Sequence, residues 1–89
     1  MATSNADLTR AWSPVVAANV DRALLTLAIS TAAPLAEVAV AADAVTAPTA
    51  RGHLIDADKG ATRDLLGDGV IWARVAPESN TATAVLVIT

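Results

Sequence analysis

Side chains that could take part in catalysis are few in this sequence, and their spacing does not bring them together. The single histidine, His53, precedes Asp56 and Asp58, and serines occur elsewhere in the chain. A catalytic triad needs a nucleophile, a base and an orienting acid that converge in space, and a G-x-S-x-G turn is one way to fix the serine. No such turn occurs here, so His53 is predicted to be a half-exposed side chain after a loop glycine. We predict that the chain is not an enzyme and has no catalytic residues.

The acidic segment that starts at Asp56 begins like a calcium-binding loop. Carboxylates stand at its first and third positions, but an EF-hand also needs glycine at position six and glutamate at position twelve. This chain has Ala61 and Gly67 there. A β-turn with solvated acids fits the segment better, so no metal site and no cofactor are predicted. The alternative left open is weak calcium binding by Asp56, Asp58 and either Asp64 or Asp68.

The composition excludes several further classes of function. Without cysteine there are no disulfides and no thiolate metal sites. The net charge is −3 and the basic residues are scattered singly, so no binding to nucleic acid is predicted. The opening residues lack the basic and apolar pattern of a secretory signal. The apolar stretch 23–42 contains Pro34 and Glu37 and lacks basic or aromatic anchors, so we predict no membrane span.

The chain is apolar beyond what one small domain can bury. Hydrophobic residues make up 54% of the sequence and charged residues 17%. A domain of this length buries only about 60% of the surface of its unfolded chain. Many of the apolar residues are alanines, which fill little volume, so the core is expected to be thin. The surplus apolar surface predicts association with other copies or with a larger partner.

Apolar residues recur at every second position through most of the chain, which is typical of strands. Ile71, Ala73 and Val75, for example, fall on one face of a strand and Trp72 and Arg74 on the other. A helix in the alanine-rich segment 17–47 is the competing interpretation, but no run there combines an N-cap with a sustained 3.6-residue period. One short helix is allowed. The predicted strands span residues 13–18, 23–30, 35–42, 53–55, 61–66, 70–75 and 81–89.

The predicted fold class is therefore all-β. We expect a small antiparallel β-sandwich, Ig-like or jelly-roll-like, of about six to seven short strands. Residues 1–12 are predicted to form a flexible N-terminal arm that orders against a partner, because they are polar and lack an apolar period. The sandwich domain is assigned to residues 13–89.

Contacts with a partner are expected from the arm and from the outward faces of strands. Trp and Arg are favoured at protein interfaces, and capping of the small core is an equally supported role for Trp72. The last strand is apolar on both faces, which predicts that both faces are covered. A sugar-binding aromatic platform is a third alternative. The predicted contact residues are Leu8, Arg10, Trp12, Trp72, Arg74, Val85 and Val87.

Short motifs in this order also carry a family resemblance. They are AANVDR at 17–22, LTL at 25–27, VAV at 38–40, GHL at 52–54, GVIWA at 69–73 and TAT at 81–83. With these motifs, residues 13–89 resemble a recurrent small β-sandwich module of tailed-phage virion proteins. The chain departs from the module at Ser30-Thr31, where an asparagine is usual, and at the Asp-Lys-Gly turn, where Pro-Gly-Glu is usual.

The resemblance implies a structural virion protein made in the host cytoplasm. A capsid decoration (cement) protein on the outer surface of the head fits a free-standing module of this size. Its partners would be the major capsid protein and further copies of itself, as a homotrimer. The alternative is a tail or fibre accessory module that binds a receptor or a carbohydrate.

Overall fold

The computed structural model describes residues 3–89 as two four-stranded antiparallel sheets packed face to face. The strands are β1 (Ser4–Leu8), β2 (Ser13–Val16), β3 (Leu24–Leu27), β4 (Ala36–Ala41), β5 (His53–Ile55), β6 (Ala61–Thr62), β7 (Val70–Val75) and β8 (Ala84–Ile88), with one helical turn, α1 (Arg63–Leu66). Sheet I has the order β1-β8-β3-β6 and sheet II the order β2-β7-β4-β5. The predicted small β-sandwich is confirmed, with eight strands rather than six or seven.

The core lies between the two sheets and is built by alternation along each strand. Side chains at every second position of a strand point to the same face. Ile71, Ala73 and Val75 of β7 are fully buried in this core, opposite Leu25 and Leu86 of sheet I. The predicted division of β7 into an apolar inner face and an outer face with Trp72 and Arg74 is therefore confirmed. Because many core residues are alanine and valine, the molecule is thin, with principal extents of 34, 30 and 19 Å.

Strands β5 and β7 have the predicted bounds, whereas the predicted strand at 61–66 is wrong in its second half. The chain leaves sheet I after Thr62 and forms α1. The guanidinium of Arg63 is buried and donates to the carbonyl oxygens of Ala18 (2.9 Å) and Gly69 (2.7 Å), which draws the chain away from the sheet. Gly67 then turns the chain with a φ of 89°, a value that glycine adopts without strain.

The segment predicted as a flexible arm forms a strand instead. β1 pairs with β8 along its whole length, and Leu8 is fully buried in the core. Beyond the strand, the backbone N–H of Val75 donates to the carbonyl oxygen of Thr9 (2.7 Å). The outward residues Asn5 and Asp7 are exposed, which explains why the segment has a polar sequence. The prediction of a flexible arm is therefore wrong for Ser4–Leu8. Residues 1 and 2 of the predicted arm lie outside the described part of the chain.

Candidate functional site

The outward face of sheet II carries a group of charged side chains centred on Glu37. Glu37 projects from β4 and is fully buried beneath two arginines. Arg74, its register partner on β7, contacts Oε1 through Nε (2.7 Å) and Nη2 (2.6 Å). Arg51, in the loop between β4 and β5, donates to Oε2 of Glu37 and to Oε1 of Glu78 (2.5 Å). We call Glu37, Arg51, Arg74 and Glu78 the charged cluster.

The arginines set the charge of the two glutamates. Burial acts to raise the pKa of Glu37, but hydrogen bonds from Arg51 and Arg74 outweigh it and hold the pKa below its ordinary value of 4.5. The hydrogen bond from Arg51 likewise lowers the pKa of Glu78, and both acids raise the pKa of Arg51. Both glutamates are therefore ionised at neutral pH, and their charges balance those of the two arginines.

Trp12 packs against the charged cluster at Arg74. The guanidinium carbon of Arg74 is 4.6 Å from the centroid of the Trp12 ring, within the distance of about 6 Å at which a cation and an aromatic face attract each other. Trp12 is half-buried, and Leu54, opposite Glu37 on β5, is 47% exposed. An aromatic ring, an oriented arginine and an exposed leucine thus share one outward face. We call this the Trp12–Arg74 surface.

Trp72 occupies the same face of sheet II, but its own chain covers it. The side chain is 5% exposed, and its indole N–H donates to the carbonyl oxygen of Asp43 (2.9 Å) in the loop between β4 and β5. The Asp43 carboxylate accepts the backbone N–H groups of Val45 (2.9 Å) and Thr46 (2.7 Å). These bonds fix the loop and lower the pKa of Asp43. Trp72 is therefore a buried anchor for the loop, and a partner reaches it only if the loop moves.

Arg10 ties the connection between β1 and β2 to the loop between β7 and β8. Its Nη1 donates to the carbonyl oxygens of Ala76 (3.2 Å) and Pro77 (3.5 Å). Its Nη2 donates to those of Ser79 and Thr81, both at 3.2 Å. A guanidinium offers five N–H donors in a planar fork, so it can hold several carbonyls at once. In this fold Arg10 stabilises a loop.

The structure separates the other predicted contact residues. Trp12 and Arg74 lie together on the outer face of sheet II, as described. Val85 and Val87 are half-buried on the outer face of sheet I, on the opposite side of the sandwich. Leu8 is fully buried in its own subunit, so its predicted role as a contact residue does not fit this structure. One partner surface cannot include all of these residues.

Glu37 and Arg51 are absent from the contact residues expected from the sequence. A signal exists for Glu37, because it is the one acid in the apolar segment 35–42 and a glutamate is almost never fully buried without a partner. Arg51 lies 14 residues further along the chain, in a loop without a periodic pattern. Only the folded chain shows that it reaches Glu37.

The acidic segment forms the predicted turn. The backbone N–H of Asp56 donates to the carbonyl oxygen of Lys59 (3.1 Å), and its carboxylate accepts the N–H groups of Asp58 (2.9 Å) and Lys59 (2.8 Å). His53 is exposed in β5, at the edge of sheet II. Within residues 3–89, no group of three or more His, Asp and Glu side chains is arranged to hold a metal ion. No helix in that same range is long and apolar enough to cross a membrane.

The outer faces of the two sheets therefore offer surfaces for binding. Comparison of the chain with protein-family models, curated proteins and solved structures gives no significant match.

Proposed function

We propose that this chain is a structural virion protein, a decoration (cement) protein that binds the outside of a tailed-phage capsid and stabilises the shell. The observation that carries the binding role is the Trp12–Arg74 surface. The capsid as the partner comes from the resemblance of the short sequence motifs to phage virion modules. The same resemblance supports self-association as a homotrimer.

The Trp12–Arg74 surface has the chemistry of a protein interface. Tryptophan and arginine are the residue types that most often dominate binding energy, particularly near the centre of a contact. Arg74 is already oriented by two contacts with Glu37, so binding would cost little additional side-chain entropy. Arg51 and Glu78 have side-chain exposures of 55% and 44% and would form a polar rim.

The proposed mechanism is mechanical. A module that lies across neighbouring capsid subunits adds contacts that the shell must break before it can open. A protein that binds the assembled shell more tightly than the dissociated subunits stabilises the shell by mass action. No bond is made or broken, so no catalytic residue is required.

The proposal predicts that the purified protein co-sediments with capsids assembled from the major capsid protein of the same genome. Replacement Trp12→Ala removes the ring that packs against Arg74 and is expected to weaken capsid binding by about 30-fold, the effect of an interface hot spot. Leu24→Ala is the matched control, because Leu24 is 44% exposed on β3, on the outer face of sheet I and so on the opposite side of the sandwich. This variant should bind like the unmodified chain.

Lack of binding by the unmodified protein to these capsids would contradict the decoration role. Binding to host glycans or to a cell-surface receptor, without capsid binding, would favour the tail or fibre module. Equal weakening by Trp12→Ala and Leu24→Ala would show that the Trp12–Arg74 surface is not the contact.

A further inference from the structure

β1 presents a free strand edge that differs from the other sheet edges of the described chain. The outer strand β2 of sheet II carries Pro14 and a shift of register between Pro14 and Val16, both of which obstruct pairing with a further strand. β5 is three residues long and β6 only two. β1 has five residues, contains no proline and pairs regularly with β8.

The hydrogen bonds of β8 show which backbone groups of β1 are free. In an antiparallel pair, residues along a strand direct their N–H and C=O groups alternately to one side and the other. Thr89 exchanges two backbone bonds of 3.0 Å with Leu24, and the carbonyl of Val85 accepts from Ala28 (3.0 Å), so the odd-numbered residues of β8 face β3. The even-numbered residues, among them Leu86, therefore face β1.

The same alternation then applies within β1. Ala6 lies opposite Leu86 and directs its backbone groups to β8. Asn5 and Asp7, its neighbours on either side, direct theirs away from the sheet. The free edge thus offers two N–H donors and two C=O acceptors at alternate positions.

We infer that this edge pairs with β1 of a second copy of the chain, antiparallel and across a two-fold axis at Ala6. In this register the whole strand is paired, and each Asp7 lies opposite Asn5 of the second copy. The two residues exchange backbone bonds, and the side-chain amide of Asn5 donates to the carboxylate of Asp7. A register centred on Asp7 would oppose two carboxylates, which is unfavourable. A register centred on Asn5 would place Asp7 opposite Thr3, which precedes the strand.

The pairing joins the two copies of sheet I into one eight-stranded sheet. It uses neither the Trp12–Arg74 surface nor the outer faces of Val85 and Val87, so it is compatible with capsid binding and with a threefold contact elsewhere. It goes beyond the decoration role and does not depend on it, because it concerns contacts between copies alone. Capsid co-sedimentation and the experiment below test the two proposals separately.

A disulfide placed on the two-fold axis tests the register. In the proposed pairing, Ala6 and Ala6 of the second copy form a non-hydrogen-bonded pair with Cα atoms about 4.5 Å apart, within the range that a disulfide spans. Ala6→Cys should therefore give a covalent dimer after mild oxidation of the dilute, full-length protein. The chain has no natural cysteine, so every disulfide must join two copies.

Ser4→Cys is the matched control on the same strand and the same face. In the proposed register Ser4 lies opposite Leu8 of the second copy, so the two Ser4 positions are offset by four residues along the strands. At a rise of about 3.4 Å per residue, their Cα atoms are about 14 Å apart. This variant should stay monomeric on a non-reducing gel. A second variant combines Asn5→Pro with Ala6→Cys, which removes one N–H from the free edge and no hydrogen bond to β8. This variant should give no covalent dimer, and an unchanged circular dichroism spectrum should show that the fold is retained.

Covalent dimer from Ala6→Cys alone, lost with Asn5→Pro, is the expected result. Equal cross-linking of Ala6→Cys and Ser4→Cys would mean random collision and would overturn the pairing. Failure of Ala6→Cys to cross-link in a folded protein would overturn it as well.

Discussion

Glu37 shows how a carboxylate can be fully buried on the outer face of a sheet. Two arginines, one from the neighbouring strand and one from a loop, occupy both of its oxygens. Isolated burial of this group would raise its pKa, whereas the paired carboxylate has a lowered pKa. The cost of removing the charge from water is therefore offset by two charge-assisted hydrogen bonds.

Replacing Glu37 by glutamine should destabilise the fold. The substitution keeps the shape of the side chain but leaves Arg74, whose side chain is 20% exposed, without its counter-ion. We expect a loss of about 2 kcal/mol in the free energy of unfolding, less than for a fully buried pair because Arg51 remains solvated. Urea denaturation measures this loss. Glu78→Gln is the control: Glu78 is 44% exposed and solvent screens its ion pair, so a smaller loss is expected, and equal losses in both variants would contradict the central position of Glu37.

The charged cluster also predicts a pH dependence of stability. In the folded chain the pKa of Glu37 lies below its ordinary value of 4.5. As the pH falls, Glu37 is therefore protonated in the unfolded chain before it is protonated in the folded chain. The stabilisation that ionised Glu37 gives the fold is complete above the pKa of this group in the unfolded chain. It is lost as the pH falls through the pKa of the same group in the folded chain. We expect the thermal midpoint of the unmodified chain to decline in this acid range, and that of Glu37→Gln to decline less. Parallel pH profiles of the two proteins would refute this assignment.

Two elements differ from what local sequence indicates, and tertiary contacts explain both. α1 forms where a strand is predicted, because the buried guanidinium of Arg63 binds two loop carbonyls. β1 forms in a polar segment, because Leu8 fills the core and β8 supplies a full-length pairing partner. In both cases a buried side chain contacts residues far along the chain; Ala18, for example, lies 45 residues from Arg63.

Deletion of residues 1–8 should therefore damage the fold. It removes Leu8 from the core and leaves β8 unpaired on one side. Loss of a fully buried leucine alone costs about 2–5 kcal/mol, a large part of the stability of a small domain. Deletion of residues 1–3 is the control, because it leaves β1 in place. Thermal unfolding followed by circular dichroism distinguishes the two variants, and equal stability of both would restore the interpretation of this segment as a dispensable arm.

At the scale of the whole molecule, the sandwich buries a thin core and leaves large apolar side chains exposed. Ile29 is 90% exposed, Val45 88% and Leu65 73%, and all three lie outside the strands. Such residues agree with the surplus of apolar surface inferred from the composition. The two outer faces differ in character, since sheet II carries the charged cluster and sheet I carries the half-buried Val85 and Val87. Different faces are thus available for different partners.

The sequence alone determined the fold class and the inner face of the main strands. Period-two alternation requires only neighbouring residues, so β7, with Ile71, Ala73 and Val75 inside, and the short strand β5 could be placed correctly. The turn at Asp56 was equally predictable, because its side chain bonds to the adjacent backbone.

The tertiary structure alone decided which distant side chains meet. Trp12 reaches Arg74, Arg51 reaches Glu37, and Arg10 reaches four carbonyls only because strands far apart in the sequence become neighbours. No local pattern encodes such contacts. For the same reason the candidate surface could be predicted only in part: Trp12 and Arg74 from their residue types, but not the contact by which Glu37 orients Arg74.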